Sequence, residues 1–380
     1  MLIKIQRILV LLLIALPMMA QTAPRPVPKA PAIGARSFIL QDYNSAYIIA
    51  AKDAEQPMEP ASITKMMTAY VIFKELKAGN IKLTDKVTIS ERAWRMEGSR
   101  MFIEVGKKVL LEDLIKGMII QSGNDATVAL AEYTAGDEIT FAALMNQHAV
   151  ALDMVHTHFV NSTGWPDPEH ITTAADIAKL ARALISEFPE YYSWYSEKKF
   201  TFNNITQYNR NKLLWRDPSV DGLKTGHTDS AGYCLVTSAK RGEMRLISVV
   251  LGTESKKART EASQALLNYG FRFFETHKPY SANTELTTTR VWQGTQEKLA
   301  LGLMDDLYIT IPRGEHAQVK AILEIDEQII APVTTGQKYG SLDIQLHDKI
   351  IKQQPLIALQ AVKEGSLWQV ISDKILLYFE

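Results

Sequence analysis

Apolar and polar positions along this chain fall into three successive textures, and each predicts a different kind of structure. At the start, Lys4 and Arg7 precede an apolar run over 8–16 that is too short to cross a bilayer. Pro17 breaks it, and Ala20 is a suitable last residue before cleavage. Residues 1–20 therefore read as a secretory signal and the proline-rich 21–34 as an extended leader. From 35 to 280 helical and strand-like periods mix. Residues 37–40 and 46–50, split by Asp42-Tyr-Asn-Ser45, predict a hairpin. Met66, Ala69, Tyr70 and Phe73 recur at helical spacing before the stop signal Gly79-Asn80, which predicts a helix over 61–77. Further helices are predicted over 109–118, 126–133, 139–152, from a Thr172 or Thr173 cap to 186, and over 258–274. Residues 86–89, 233–238 and 246–252 predict strands, 221–228 starts as one, and 160–171 reads as an ordered surface loop. Beyond Pro279 the runs 307–311, 319–325, 342–346 and 356–362 are short, partly alternating and separated by Gly, Pro, Asn and Asp. This predicts a small all-β domain over 283–363.

Composition narrows the function classes. The chain has 380 residues, enough for two cores, and its 42 basic and 42 acidic side chains give no charge bias toward nucleic acid. The single cysteine, Cys234, excludes an intramolecular disulfide and reads as a buried strand residue. His156 and His158 alternate as on a strand face without further ligands nearby, so no metal is expected, and no cofactor motif is present.

Chemistry concentrates in Pro60-Ala-Ser62-Ile-Thr-Lys65-Met-Met-Thr68. Ser62 falls in the first turn of the predicted helix with Lys65 one turn on, on the same face. A serine hydroxyl attacks only when a base takes its proton, and a neutral lysine amine can do so. Ser-x-x-Lys alone is a weak pattern, and Ser196-Glu-Lys-Lys199 is a second match in a polar, aromatic stretch. Two later motifs, Ser122-Gly-Asn124 and Lys224-Thr225-Gly226, stand in order behind Ser62, and the ordered trio is a strong signal. Read singly, Ser122 also suits a helix cap, Arg259 suits an exposed residue paired with Glu261, and His227 suits a pocket wall rather than a base.

With these motifs the chain resembles the serine-type D-alanyl-D-alanine carboxypeptidases, the low-molecular-mass penicillin-binding proteins. Gln121-Ser-Gly-Asn-Asp-Ala126, Val220-Asp-Gly-Leu-Lys-Thr-Gly-His-Thr228 and Tyr269-Gly-Phe-Arg-Phe-Phe-Glu-Thr276 carry the resemblance past the trio, over nearly the whole mature chain. It implies an α/β (α+β) fold: a β-lactamase/transpeptidase-like catalytic domain over 35–280 with a smaller C-terminal all-β domain. It also implies hydrolysis of the terminal D-Ala from peptidoglycan stem peptides and covalent inhibition by β-lactams. By the resemblance Ser62 forms the acyl-enzyme, Lys65 accepts its proton with Lys224 helping to lower its pKa, and Ser122 relays a proton to the leaving amine. Asn124 binds the substrate amide and orients Lys65. Thr225 and Arg259 receive the terminal carboxylate. The backbone amides of Ser62 and His227 form the oxyanion hole, and the strand through Gly226 holds the substrate backbone.

Three other readings compete. A class A β-lactamase needs a deacylating loop glutamate, for which the chain offers Glu169. A DD-endopeptidase uses the same chemistry on crosslinks. A noncatalytic wall-binding protein has no need of the full set of motif residues. Finally, Leu367, Trp368, Ile371, Ile375 and Tyr378 make one apolar stripe over 366–380, opposite Gln369, Ser372, Asp373 and Glu380. The stripe predicts an amphipathic tail that lies on a membrane surface or docks on the β domain. With the export signal, the resemblance implies the first, on the periplasmic face of the bacterial inner membrane.

Overall fold

The computed structural model describes residues 26–379, so the expected signal over 1–20 and the start of the leader lie outside the described residues. From Val27 the leader packs on the body: Val27, Ala30 and Ile33 cover one core, and Tyr269 donates its hydroxyl to the Pro28 carbonyl at 2.8 Å.

The frame is an antiparallel sheet in the order Ile48–Lys52, Ser37–Asp42, Met244–Thr253, Gly232–Arg241, Val220–Gly222, with Thr225–Thr228 also paired to Gly232–Arg241. Ile39 lies opposite Val249, and Val250 opposite Leu235. Side chains alternate across a strand, and here both sets are apolar, so the sheet is covered on both faces. Leu40, Leu246 and Val250 pack on Leu266 and Leu267 of helix Lys256–Phe273. Ile39, Ile247 and Val249 face the helical lobe.

At the centre of that lobe runs helix Lys65–Ala78, stopped by Gly79 in the left-handed region (φ 78°). Its residues Lys65 to Phe73 are all buried, so this first part is enclosed on every side rather than along one stripe, while Lys77 and Ala78 at its end are exposed. Residues 61–64 form a tighter 3₁₀ turn ahead of it. Helices Asn124–Ala135, Glu138–Ala151 and Ala174–Glu187 pack around it, the last capped by Thr173.

Several boundaries differ from the sequence reading. The helix expected over 109–118 divides into strand Lys108–Leu110, helix Leu111–Lys116 and a π-type turn Gly117–Gln121. Glu112 and Asp113 favour a helix start at Leu111, while Val109 is claimed by pairing with Val87. The strand expected to reach residue 362 ends at Ala358, because Val362 pairs with Val333 instead. His156 and His158 do not share a strand. They lie in the turn after helix Glu138–Ala151, with His156 beside Glu55 (3.3 Å) and His158 bridged once to Ile171.

The C-terminal part is built of strands up to its tail, apart from a 3₁₀ turn at His316–Gln318. Its main sheet runs Thr287–Arg290, Lys298–Gly302, Lys349–Ala358, Lys338–Leu346, Val319–Ile325. Helix Lys256–Phe273 leads directly into strand Phe274–Tyr280, which pairs with Leu307–Pro312. The buried Asp42 carboxylate ties the two parts together by accepting from Thr276 Oγ1 (2.7 Å) and Ser45 N (2.7 Å). Helix Leu367–Phe379 ends the described chain.

Candidate active site

The sequence brings Ser62 and Lys65 together within one turn, and the fold then closes other segments around them. Lys65 is 1% exposed. Its Nζ lies 3.0 Å from Ser62 Oγ, 2.7 Å from Asn124 Oδ1 and 2.8 Å from the Thr163 carbonyl. A neutral amine has two N–H donors and one lone pair. Asn124 Oδ1 and the Thr163 carbonyl are obligate acceptors and take both donors, which aims the lone pair at the Ser62 hydroxyl. Burial pulls the Lys65 pKa down from 10.5 to about 7; Arg210 lowers it further, against Asp125 and Glu138, which raise it. Lys224, expected to help, is not among the groups that lower it; burial and Arg210, a residue the motifs do not contain, do so.

Ser122 ends the Gly117–Gln121 turn in the left-handed region (φ 70°). It closes that turn through its backbone N–H, which donates to the Gly117 carbonyl, and does not cap helix Asn124–Ala135, whose N-cap is Gly123. Its Oγ instead accepts from Lys224 Nζ at 2.9 Å. Lys224 is buried, also donates to the Thr225 carbonyl (3.0 Å), and is held well below the ordinary lysine pKa by burial and then by Lys65, Arg210 and Arg259. Asn124 is fixed at both ends, its Nδ2 donating to the Glu97 carbonyl (2.7 Å) and its backbone N to the Ser99 carbonyl (2.7 Å).

The strand Thr225–Thr228 forms one wall. Lys224 exchanges backbone hydrogen bonds with Val236, so antiparallel alternation turns the N–H and C=O groups of Thr225 and His227 away from strand Gly232–Arg241. Among the described residues no strand pairs with that outer edge. It faces the Ser62 turn, so closely that a Cβ on Gly226 would come within 2.9 Å of the Pro60 carbonyl oxygen. Gly164 (φ 81°) is tighter on the opposite side: its Cβ would sit 1.8 Å from the Ala61 carbonyl oxygen. Both positions demand glycine.

Arg259 is buried, not an exposed partner of Glu261, which lies beside Lys257 (3.8 Å). It donates through Nη1 to the Gly226 carbonyl (2.9 Å) and lies over the Tyr233 ring (5.7 Å). His227 stacks on the same ring, with centroids 3.9 Å apart. It carries no contact to Ser62 Oγ among the described hydrogen bonds, in keeping with a wall residue.

Two cavities open from Ser62. One, about 420 Å³, is lined by Ser122, Arg210, Thr225, Lys256 and Arg259 among others and holds no carboxylate. The other, about 640 Å³, runs past Asn124, Trp165 and Asp229. Glu169 is exposed and lines neither. Ser196 is also exposed and donates to the Ser193 carbonyl, with no lysine among its described hydrogen-bond partners.

Three supports escaped the sequence reading. His170 is buried and neutral, its pKa lowered to about 4 chiefly by burial. Its Nδ1 accepts from Val160 N (3.0 Å), so Nε2–H faces Thr64 Oγ1 (2.8 Å) and ties the 160–171 loop to the serine turn. The buried Asp125 carboxylate accepts from Met101 N and Phe102 N, both at 2.9 Å, and pins the loop that carries Ser99. Arg210 gives no motif signal at all.

A serine nucleophile beside a buried lysine, a second lysine at the start of an edge strand, and one antiparallel sheet with helix on one face and a helical lobe on the other define the active-site-serine, lysine-assisted class. The description "D-alanyl-D-alanine carboxypeptidase" matches residues 24–255, and "Penicillin-binding protein 5, C-terminal domain" matches 274–364. The chain belongs to the D-alanyl-D-alanine carboxypeptidase family. It is 45% identical over 359 residues to D-alanyl-D-alanine carboxypeptidase DacC of Escherichia coli (strain K12), covering 92% of this chain and 90% of that one. The crystal structure of penicillin binding protein 5 from Haemophilus influenzae superposes with a TM-score of 0.87 at 43% identity, covering 89% of this chain and all of the other. An ampicillin-bound Penicillin-Binding Protein D2 from Listeria monocytogenes matches 64% of this chain and 100% of its own at a TM-score of 0.60 and 27% identity.

Proposed function

We propose that the protein removes the terminal D-Ala from peptidoglycan stem peptides ending in D-Ala-D-Ala, through an acyl-enzyme on Ser62. The observation that carries this reading is the Lys65 amine: buried, near-neutral, and lone-pair-directed at Ser62 Oγ. Ser62 Oγ bonds to the carbonyl carbon of the penultimate D-Ala as its proton passes to Lys65 Nζ. The oxyanion meets the backbone N–H groups of Ser62 and His227. The C–N bond then breaks as Ser122, held by Lys224, hands its proton to the departing amine and takes in its place the proton that Lys65 accepted, which returns Lys65 to the neutral amine. Water cleaves the ester with Lys65 again as base, and Ser62 recovers its proton. The terminal carboxylate lies in the cationic cavity with Thr225 and Arg259, and the acyl chain runs along the Gly226 strand edge toward Asp229. The loop glutamate Glu169 lines neither of the cavities that open from Ser62, which weighs against the class A β-lactamase reading. The test is D-alanine release from a pentapeptide beside hydrolysis of a β-lactam. Catalytic D-alanine release with slow β-lactam turnover is expected, and fast β-lactam turnover without D-alanine release overturns the reading.

Arg259 gives a sharper check on the carboxylate side. A charge-assisted hydrogen bond contributes about 1.5–3 kcal/mol, so Arg259→Ala is expected to lower kcat/KM for peptides with a free C-terminal carboxylate by about 10–100-fold. Peptides amidated at that end should lose much less. Equal losses for both would remove Arg259 from the carboxylate site.

Export and membrane attachment belong to the same proposal. No described helix is long and apolar enough to cross a membrane. Helix Leu367–Phe379 has no buried residue; Leu367, Trp368 and Tyr378 are all more than 80% exposed. It touches the β domain through its polar side, where the Asp373 carboxylate accepts from Gln293 N and lies 3.7 Å from Arg290. An amphipathic helix that turns its polar face to the protein and its apolar face outward suits the membrane interface. Deleting 366–380 is expected to release the exported enzyme from membranes while activity on soluble peptide persists. Full-length processed protein that fractionates as soluble would refute the anchor.

A further inference from the structure

The cationic cavity does not end where a terminal D-Ala would. It shares Arg210, Lys256 and Arg259 with a second cavity of about 360 Å³, also lined by Gln121, Tyr208, Asn209, Lys212 and Thr260. Neither cavity has an acidic side chain in its wall. Among the described residues, none of Arg210, Lys212, Lys256 and Arg259 has a carboxylate within salt-bridge distance. Arg210 spends its Nε on the Gln121 carbonyl (3.0 Å), and Lys212 lies over the Trp215 ring (5.0 Å). Like charges gathered around a shared space disfavour one another until an anion enters.

One terminal carboxylate accounts for Arg259 and its near neighbour. It leaves Lys256 at the mouth and Lys212 beyond it without a counter-charge. A D-Ala methyl group also has no use for the adjoining space. On the reading that the enzyme is a DD-carboxypeptidase, we propose that this basic trough is a leaving-side subsite for a D-residue that carries a second carboxylate on its side chain. Lys256 and Lys212 are its specificity-determining residues. The same reaction then releases acidic D-amino acids, or longer anionic leaving groups, in preference to neutral ones of equal size.

The experiment compares three N-acylated peptides ending in D-Ala-D-Ala, D-Ala-D-Glu and D-Ala-D-Gln. D-Glu and D-Gln differ in charge but hardly in volume. Active enzyme is counted by labelled penicillin, so a partly folded variant does not distort the comparison. The wild type is expected to release D-Glu with a kcat/KM about 10-fold above that for D-Gln, consistent with two added charge contacts of modest strength. Raising the salt concentration should narrow that ratio. Lys212→Glu with Lys256→Glu is expected to invert it, and the glutamine versions of both should bring it near one. A wild-type ratio at or below one, a ratio that the reversed charges leave unchanged, or release of D-Ala with neither D-Glu nor D-Gln accepted would each overturn the subsite. Failure to release D-Ala from the first peptide overturns the carboxypeptidase reading instead.

Discussion

Ser62→Ala is expected to lose covalent labelling by a penicillin completely and to lower kcat/KM for D-alanine release by about 10⁴–10⁶-fold, the scale on which nucleophile removal acts in other serine enzymes. The fold should survive. Ser62 caps no helix: the serine turn has Pro60 at its start and Thr64 precedes helix Lys65–Ala78, neither with a side-chain cap bond. Its Oγ makes one contact, to Lys65. Circular dichroism should therefore match the wild type while mass spectrometry shows no adduct. An adduct of undiminished yield on another serine, Ser196 above all, would relocate the nucleophile.

Lys65 carries the second large effect, and its sign follows from the pKa. Only the neutral amine accepts the Ser62 proton. With a pKa near 7, about half of Lys65 is neutral at pH 7 and about a tenth at pH 6. Acylation is therefore expected to fall about 10-fold per unit below that point and to level off above it. Lys65→Arg removes the titration, because a guanidinium stays protonated, and should cut acylation by about 10²–10⁴-fold. It also puts a permanent charge between Asn124 and Thr163. Stopped-flow acylation by a chromogenic β-lactam from pH 5 to 9 reads both effects. A flat profile in the wild type, or near-wild-type rates in Lys65→Arg, would take the base role away from lysine.

Local chemistry was legible in the sequence where both partners lie on one element. Ser62 and Lys65 share a turn. Gly79 stops the helix as its position suggests, and Thr173 caps the one that follows the 160–171 loop. Cys234 is a buried strand residue, as its apolar neighbours indicate. What stayed hidden is what comes from elsewhere in the chain through groups without a pattern. The Thr163 carbonyl that helps orient Lys65 is backbone, and any residue type would supply it. His170 lies in a turn-rich stretch that gives no hint of burial, whereas His156 and His158 drew notice through an alternation that the chain does not form. Arg210 acts through space on Lys65 and Lys224 from a segment whose aromatic and polar pattern predicts little. The Lys65 to Phe73 part of helix Lys65–Ala78 also shows why periodicity understates burial: a stretch covered on all sides needs no polar face.

The two glycines that press on the Ser62 turn bear on how such an enzyme changes over generations. At 164 a carbonyl oxygen already occupies the place of a first side-chain carbon, and at 226 one stands within 2.9 Å of it. Substitution there moves the nucleophile itself, and selection for escape from a β-lactam cannot pass that way without losing the peptidase. The positions free to vary are those whose side chains only border the acyl-side cavity, such as Trp165 and Asp229. Inherited drug tolerance in this protein therefore has a narrow road, through the rim of the cleft rather than its floor.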